Sequence, residues 1–112
     1  MSLRVLVVEP SRDLRELICA ILRAQHFDVD AVADPSKVAG GVGYAMAVAD
    51  VPIGEQPDAF ANRFVAKLPA LRDHLLLMSA APEDCEDSRT TTLVKPFDRR
   101  SLIDNVVRIS AF

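Results

Sequence analysis

The sequence predicts an α/β domain built on a doubly wound parallel sheet, and three observations carry that prediction. Short aliphatic runs alternate with segments whose apolar residues recur at helical spacing. Four of the runs end abruptly in a polar group: Leu3–Val8 at Glu9, Met46–Ala49 at Asp50, Leu75–Met78 at Ser79 and Thr91–Val94 at Lys95. The first run is almost unbroken rather than alternating, interrupted only by Arg4, which suits a strand covered by helices on both faces. If the strands are parallel, Glu9, Asp50, Ser79 and Lys95 all leave one edge of the sheet, where open α/β sheets bind their ligands.

The elements follow in order. After the first strand, Glu9-Pro10-Ser11 breaks the run and Ser11 is a candidate helix N-cap. Leu14, Leu17, Ile18, Ile21 and Leu22 then mark the clearest amphipathic helix, with Arg12, Asp13, Arg15, Glu16 and Arg23 mostly on its other faces. Phe27–Ala33 alternates with period two and reads as a half-exposed edge strand. Asp34-Pro35 is an N-cap followed by proline at the first helical position. The helix expected from Ser36 to about Gly43 contains Gly40, Gly41 and Gly43, each costing ~1 kcal/mol against alanine, so it should be short and poorly anchored.

Met46–Ala49 is the third strand, and its small side chains suit close packing on both sides. Val51-Pro52-Ile53-Gly54 follows as a turn. Phe60, Phe64, Val65 and Leu68 mark a helix stopped at Pro69, and Leu75–Met78 is the fourth strand. Between Ser79 and Lys95, the stretch from Ala80 to Arg89 is mostly small or acidic (Glu83, Asp84, Glu86, Asp87). A fourth helix there should be shortened or missing, and the acids read as a solvated loop. Asp98 can cap a last helix with Leu102, Ile103, Val106, Val107 and Ser110 along one face.

The pattern is βα repeated five times over residues 1–112, a single domain. Right-handed crossovers leave few topologies. The expected one is the flavodoxin-like strand order 2-1-3-4-5, whose switch point lies between strands 1 and 3. That places Glu9 and Asp50 on the two walls of one crevice, with Ser79 and Lys95 further along the same edge.

Composition narrows the function classes. Half of the 112 residues are hydrophobic and the formal net charge is −3. That balance gives no electrostatic case for nucleic acid or an anionic membrane. No apolar run approaches the ~20 residues of a membrane span and the start is not signal-like, so a cytoplasmic protein is expected. Cys19 and Cys85 are isolated and read as free thiols. His26 and His74 are single residues at element boundaries. Glu9-Pro10-Ser11 contains no glycine, which argues against a nucleotide-binding phosphate loop after the first strand.

Several segments together resemble a known family. Val7-Val8-Glu9-Pro10-Ser11-Arg12-Asp13-Leu14-Arg15-Glu16-Leu17 looks like the start of a response-regulator receiver domain of two-component signalling. Leu93-Val94-Lys95-Pro96-Phe97 is similar to that family's final motif. Asp50, four residues before Gly54, stands where the family places its phospho-accepting aspartate, and Ser79-Ala80 matches its hydroxyl residue and the small residue after it. The resemblance implies that Asp50 takes a phosphoryl group from a histidine kinase, a phosphotransfer protein or a small phosphodonor. Lys95 and Ser79 would stabilise that group. Mg²⁺ would be held by Glu9, Asp50 and the backbone carbonyl of Pro52. It also implies a cis Lys95-Pro96 bond, signalling to an output domain or partner protein, and no enzymatic turnover beyond self-phosphorylation and self-dephosphorylation of Asp50.

Three departures qualify this. The family normally has two adjacent acids after its first strand, and here the second position is Pro10, which offers no side-chain oxygen. Weak Mg²⁺ binding is therefore expected. Glu9 is one methylene longer than aspartate and could reach a metal, or could simply pair with Lys95. Thr92 stands where the family often has a mobile aromatic. The depleted segment from Ala80 to Thr91 removes much of the usual signalling surface, so a signal would leave by another face. Two readings stay open: a phosphorylatable receiver, and a phosphorylation-independent pseudo-receiver that serves as a protein-interaction module.

Overall fold

In the computed structural model, which describes residues 2–38, 43–82 and 90–111, the five strands form one sheet. They are β1 (Arg4–Val8), β2 (Asp28–Val32), β3 (Met46–Asp50), β4 (Leu75–Ser79) and β5 (Thr92–Val94). All pairings are parallel, and the order is β2-β1-β3-β4-β5, as the sequence pattern predicts. Val8 pairs with Ala49 and Asp50 with Met78, so Glu9 and Asp50 emerge side by side from neighbouring strands.

Among the described residues, three α-helices cover the sheet: α1 (Arg12–Ala24), α2 (Pro57–Lys67) and α3 (Arg99–Ser110). The alternation of side chains along each strand divides the core in two. Val5, Val7, Val48, Leu76 and Met78 pack with Ile18 and Leu22 of α1 and with Leu102, Val106 and Ile109 of α3. Leu6, Val8, Ala47, Ala49 and Leu77 pack with Phe60, Phe64 and Val65 of α2. The inner strands are apolar on both faces because both faces are covered. β2 lies at the edge, and there only Val29 is buried.

Helix starts follow the caps legible in the sequence. Ser11 Oγ accepts the N–H of Leu14 (3.4 Å), and Asp98 accepts that of Ser101 (2.7 Å). Asp34 accepts the N–H of Ser36 (2.9 Å), but it opens only a 3₁₀ turn, Pro35–Lys37. The rest of the expected second helix falls largely on residues 39–42, outside the described residues. The shortened or missing fourth helix falls mostly on residues 83–89, also outside them, as does Cys85.

Two helical stripes differ in detail from the periodicity. Leu17 points outward and is 55% exposed. In α3, Ile109 is buried while Val107 lies half out in solvent. Both helices are docked slightly rotated from the face their apolar residues suggest.

Truncating the fully buried Leu76 to alanine should cost about 2–5 kcal/mol in urea unfolding. Ile53→Ala, at a 98% exposed turn position, should stay within ~0.5 kcal/mol of the parent protein.

Candidate functional site

The carboxyl edge of the sheet brings three of the sequence-predicted residues into direct contact. Lys95 follows β5, and its backbone N–H is bonded to Ser79 O (2.8 Å). From that fixed base its side chain reaches across the end of β4. The ammonium Nζ lies 2.5 Å from Glu9 Oε1 and 2.7 Å from Asp50 Oδ1. Glu9 is almost fully buried, with a side chain 2% exposed, while those of Asp50 and Lys95 keep 16% and 20%. Of the two uses open to Glu9, the structure shows the ion pair with Lys95.

The loop after β1 is held from both ends. The second carboxylate oxygen of Glu9 accepts the backbone N–H of Ser11 (2.9 Å). Arg15, one turn into α1, donates to the carbonyl of Glu9 (2.8 Å) and more weakly to that of Pro10 (3.4 Å). Sequence reasoning left Arg15 among the charges mostly on the other faces of α1. The available signal was its position in the first helical turns, where a long side chain can fold back over the preceding loop.

Ser79 and Pro52 are placed on the same edge but are otherwise engaged. The Ser79 hydroxyl, buried at the end of β4, accepts the N–H of Ala81 (3.1 Å) in a local turn. The Pro52 carbonyl accepts the N–H of Glu55 (3.1 Å). That turn passes through Gly54 at φ +86°, a conformation suited to glycine, and an ion pair between Glu55 and Arg63 ties it to α2. Thr92 is half-buried and bonds to Thr90 O (3.1 Å). The Lys95-Pro96 bond is cis.

Burial and charge act on the pair in different ways. Burial pulls the Lys95 ammonium down, but its hydrogen bonds and charge contacts with Asp50 and Glu9 outweigh that, and its pKa rises above the ordinary 10.5. Burial pushes the Asp50 carboxyl up; Lys95 draws it back and the Glu9 charge adds to the rise. Asp50 meets one nitrogen and a like charge, whereas Lys95 meets two oxygens, so the alkaline behaviour of the contact belongs to Lys95.

The donor set does not fit Mg²⁺ as arranged. That ion demands near-octahedral oxygen coordination. Glu9 has both carboxylate oxygens occupied, Asp50 Oδ1 faces Nζ, and the Pro52 carbonyl is committed to its turn. Pro10 adds no side-chain oxygen. Among the described residues, no group of three or more His, Cys, Asp or Glu side chains could hold a metal, and no buried side-chain N or O atom lacks a partner.

Similarity to solved structures extends over nearly the whole chain. A response regulator from Thermotoga maritima superposes with a TM-score of 0.79 at 18% identity, covering all of both chains. The chemotaxis response regulator CheY4 of Vibrio cholerae gives 0.79 at 20% identity, over 97% of this chain and 99% of that one. The response regulator TrrA from Thermotoga maritima, solved in complex with Mg²⁺-BeF, gives 0.77 at 20% identity, over 97% and 99%. The fold is that of a response-regulator receiver domain. No family model matches the chain, and no curated protein matches it.

Within this receiver fold, a groove of about 700 Å³ runs along α1, walled by Leu14, Leu17 and Ile21 and closed by Pro96 and Phe97. Lys95 also contributes to its lining. No helix among the described residues is long and apolar enough to cross a membrane.

Removing Lys95 strands the Glu9 charge in a buried position. Lys95→Met should lose about 3 kcal/mol, the low end for breaking a buried pair because Lys95 keeps a fifth of its exposure. In the Glu9→Gln/Lys95→Met double variant, the loss should be less than the sum of the single losses. The sign of the pH effect follows from the raised Lys95 pKa: its contribution is complete below 10.5 and fades as pH rises through the higher folded value. Denaturation followed against pH should show this alkaline loss in the parent protein and its absence in Lys95→Met.

Proposed function

We propose that this chain is a receiver-type signalling module whose Asp50 accepts a phosphoryl group. The observation that carries the reading is the Asp50 carboxylate itself. It sits at the end of β3 on the ligand-binding edge, partly open to solvent, with the Lys95 ammonium 2.7 Å from Oδ1. A carboxylate oxygen attacks the phosphorus of a phosphohistidine on a histidine kinase or phosphotransfer protein. The P–O bond forms as the P–N bond breaks, and the imidazole nitrogen leaves with the bonding electron pair. The product is an acyl phosphate on Asp50.

Such transfer depends on positioning and charge stabilisation more than on covalent chemistry. Lys95 supplies a positive charge at the point where negative charge accumulates. The Ser79 hydroxyl lies on the next strand end and would donate to a phosphoryl oxygen in place of its long donation to the Ala81 carbonyl (3.5 Å). Mg²⁺ is the charge-neutralising cation such chemistry ordinarily draws on, and weak binding at best is consistent with these donors. The new group adds about −2 of charge beside Lys95, which shifts the balance of the ion pair and thereby a surface that a partner reads. Self-phosphorylation of Asp50 from a small phosphodonor and self-hydrolysis of the acyl phosphate are the only turnover proposed.

A second reading, a phosphorylation-independent protein-interaction module, is favoured by the apolar groove along α1 and by Pro10. Intact-protein mass spectrometry after incubation with acetyl phosphate, with and without Mg²⁺, separates the two. Gain of one phosphoryl group that is lost in Asp50→Asn is the expected result. No gain in a folded protein overturns the acceptor reading in favour of the interaction module.

A further inference from the structure

We infer that this receiver fold carries its own cation: Lys95 holds the place between Glu9 and Asp50 that a divalent ion would need, so the site operates without Mg²⁺. The inference rests on the proposed use of Asp50 only for the phosphorylation arm of its test.

The geometry supplies the argument. A cation shared by the carboxylates at the ends of β1 and β3 would meet two engaged Glu9 oxygens and, on Asp50, the oxygen that faces Lys95. Glu9 Oε1 and Asp50 Oδ1 both face Nζ, at 2.5 and 2.7 Å. Glu9 Oε2 is tied to the Ser11 N–H, and the carbonyls of Glu9 and Pro10 are turned toward Arg15. A divalent ion arriving here would displace an ammonium from a carboxylate that is nearly out of solvent. The displaced Lys95 would then keep its charge in a half-buried place, since its backbone is fixed to the end of β4.

Position 10 completes the case. A carboxylate there would add one negative charge and an oxygen not engaged by Lys95. Proline adds neither, so two carboxylates meet one resident ammonium and a single negative charge is left over, where an acid at position 10 would leave two. The Arg15 guanidinium adds a further positive charge over the same loop and locks its carbonyls away from the pocket. Lys95 is thus both counter-ion at rest and the group that meets incoming phosphoryl oxygens. Arg15 is a positioning residue that acts through the loop.

The test is a Mg²⁺ titration of the whole chain followed by amide NMR, reading Ser11, Val51 and Lys95, for the parent protein and for Pro10→Asp and Lys95→Gln. The expected result is no saturable shift in the parent and saturable shifts in Pro10→Asp, with Lys95→Gln as a second variant in which the vacated position takes up the ion. Saturable shifts of those three amides in the parent protein would overturn the inference. Silence of both variants, with dispersed spectra showing them folded, would also overturn it, because the position would then not be a cation site at all. In parallel, labelling by acetyl phosphate should proceed at the same rate in EDTA as in Mg²⁺ for the parent. It should gain about tenfold or more from Mg²⁺ in Pro10→Asp. Absence of labelling under every condition removes the acceptor reading and leaves the titration to decide the cation.

Discussion

The contact of one ammonium with two carboxylates governs the carboxyl edge of this molecule's sheet. Three ionisable groups at the ends of β1, β3 and β5 sit where solvent is scarce, and none would be stable there alone. Burying one charge without a partner costs several kcal/mol, and pairing returns that cost only when the geometry is close. Here it is close, and the remaining Glu9 oxygen is satisfied by the Ser11 N–H. The contact is therefore better regarded as a device for holding the edge in one arrangement than as a large source of stability.

The scaffold makes that arrangement possible through small local choices. Ser11 illustrates the economy: its side chain caps α1 while its backbone N–H fixes the Glu9 carboxylate, so the start of the helix and the orientation of the acid are set by one residue. Arg15 adds a third tie from the same helix. On the other side of the crevice, the Gly54 turn and the Glu55–Arg63 ion pair hold the segment after Asp50 against α2. The two faces of the sheet, one covered by α1 and α3 and the other by α2, thus each anchor one wall of the crevice.

Much of this was legible in the sequence, for definable reasons. Aliphatic runs ending in Glu9, Asp50, Ser79 and Lys95 marked the strands and the edge, because backbone pairing and burial write themselves into periodicity. Caps at Ser11, Asp34 and Asp98 were legible because they need specific short side chains. Rotation of a helix on its sheet was not: Leu17 and Val107 belong to apolar stripes yet lie outward, since the packed edge of a stripe depends on what it meets. Side-chain reach was also hidden. Pattern alone left Glu9 undecided between a metal and Lys95, could not direct the Ser79 hydroxyl to Ala81, and gave Arg15 no distinction from other helical cations.

The Glu9–Lys95 contact joins residues 86 positions apart, and the strand that delivers Lys95 is the last to be made. During synthesis, β1 and β3 leave the ribosome well before it. A sheet assembled from the early strands alone would hold two adjacent carboxylates facing each other with nothing between them. Like charges so placed repel, and in the finished domain Lys95 stands between them. The three charges thus fasten the first strand of the sheet to the last, so the edge is whole only when strand ends far apart in the chain have met.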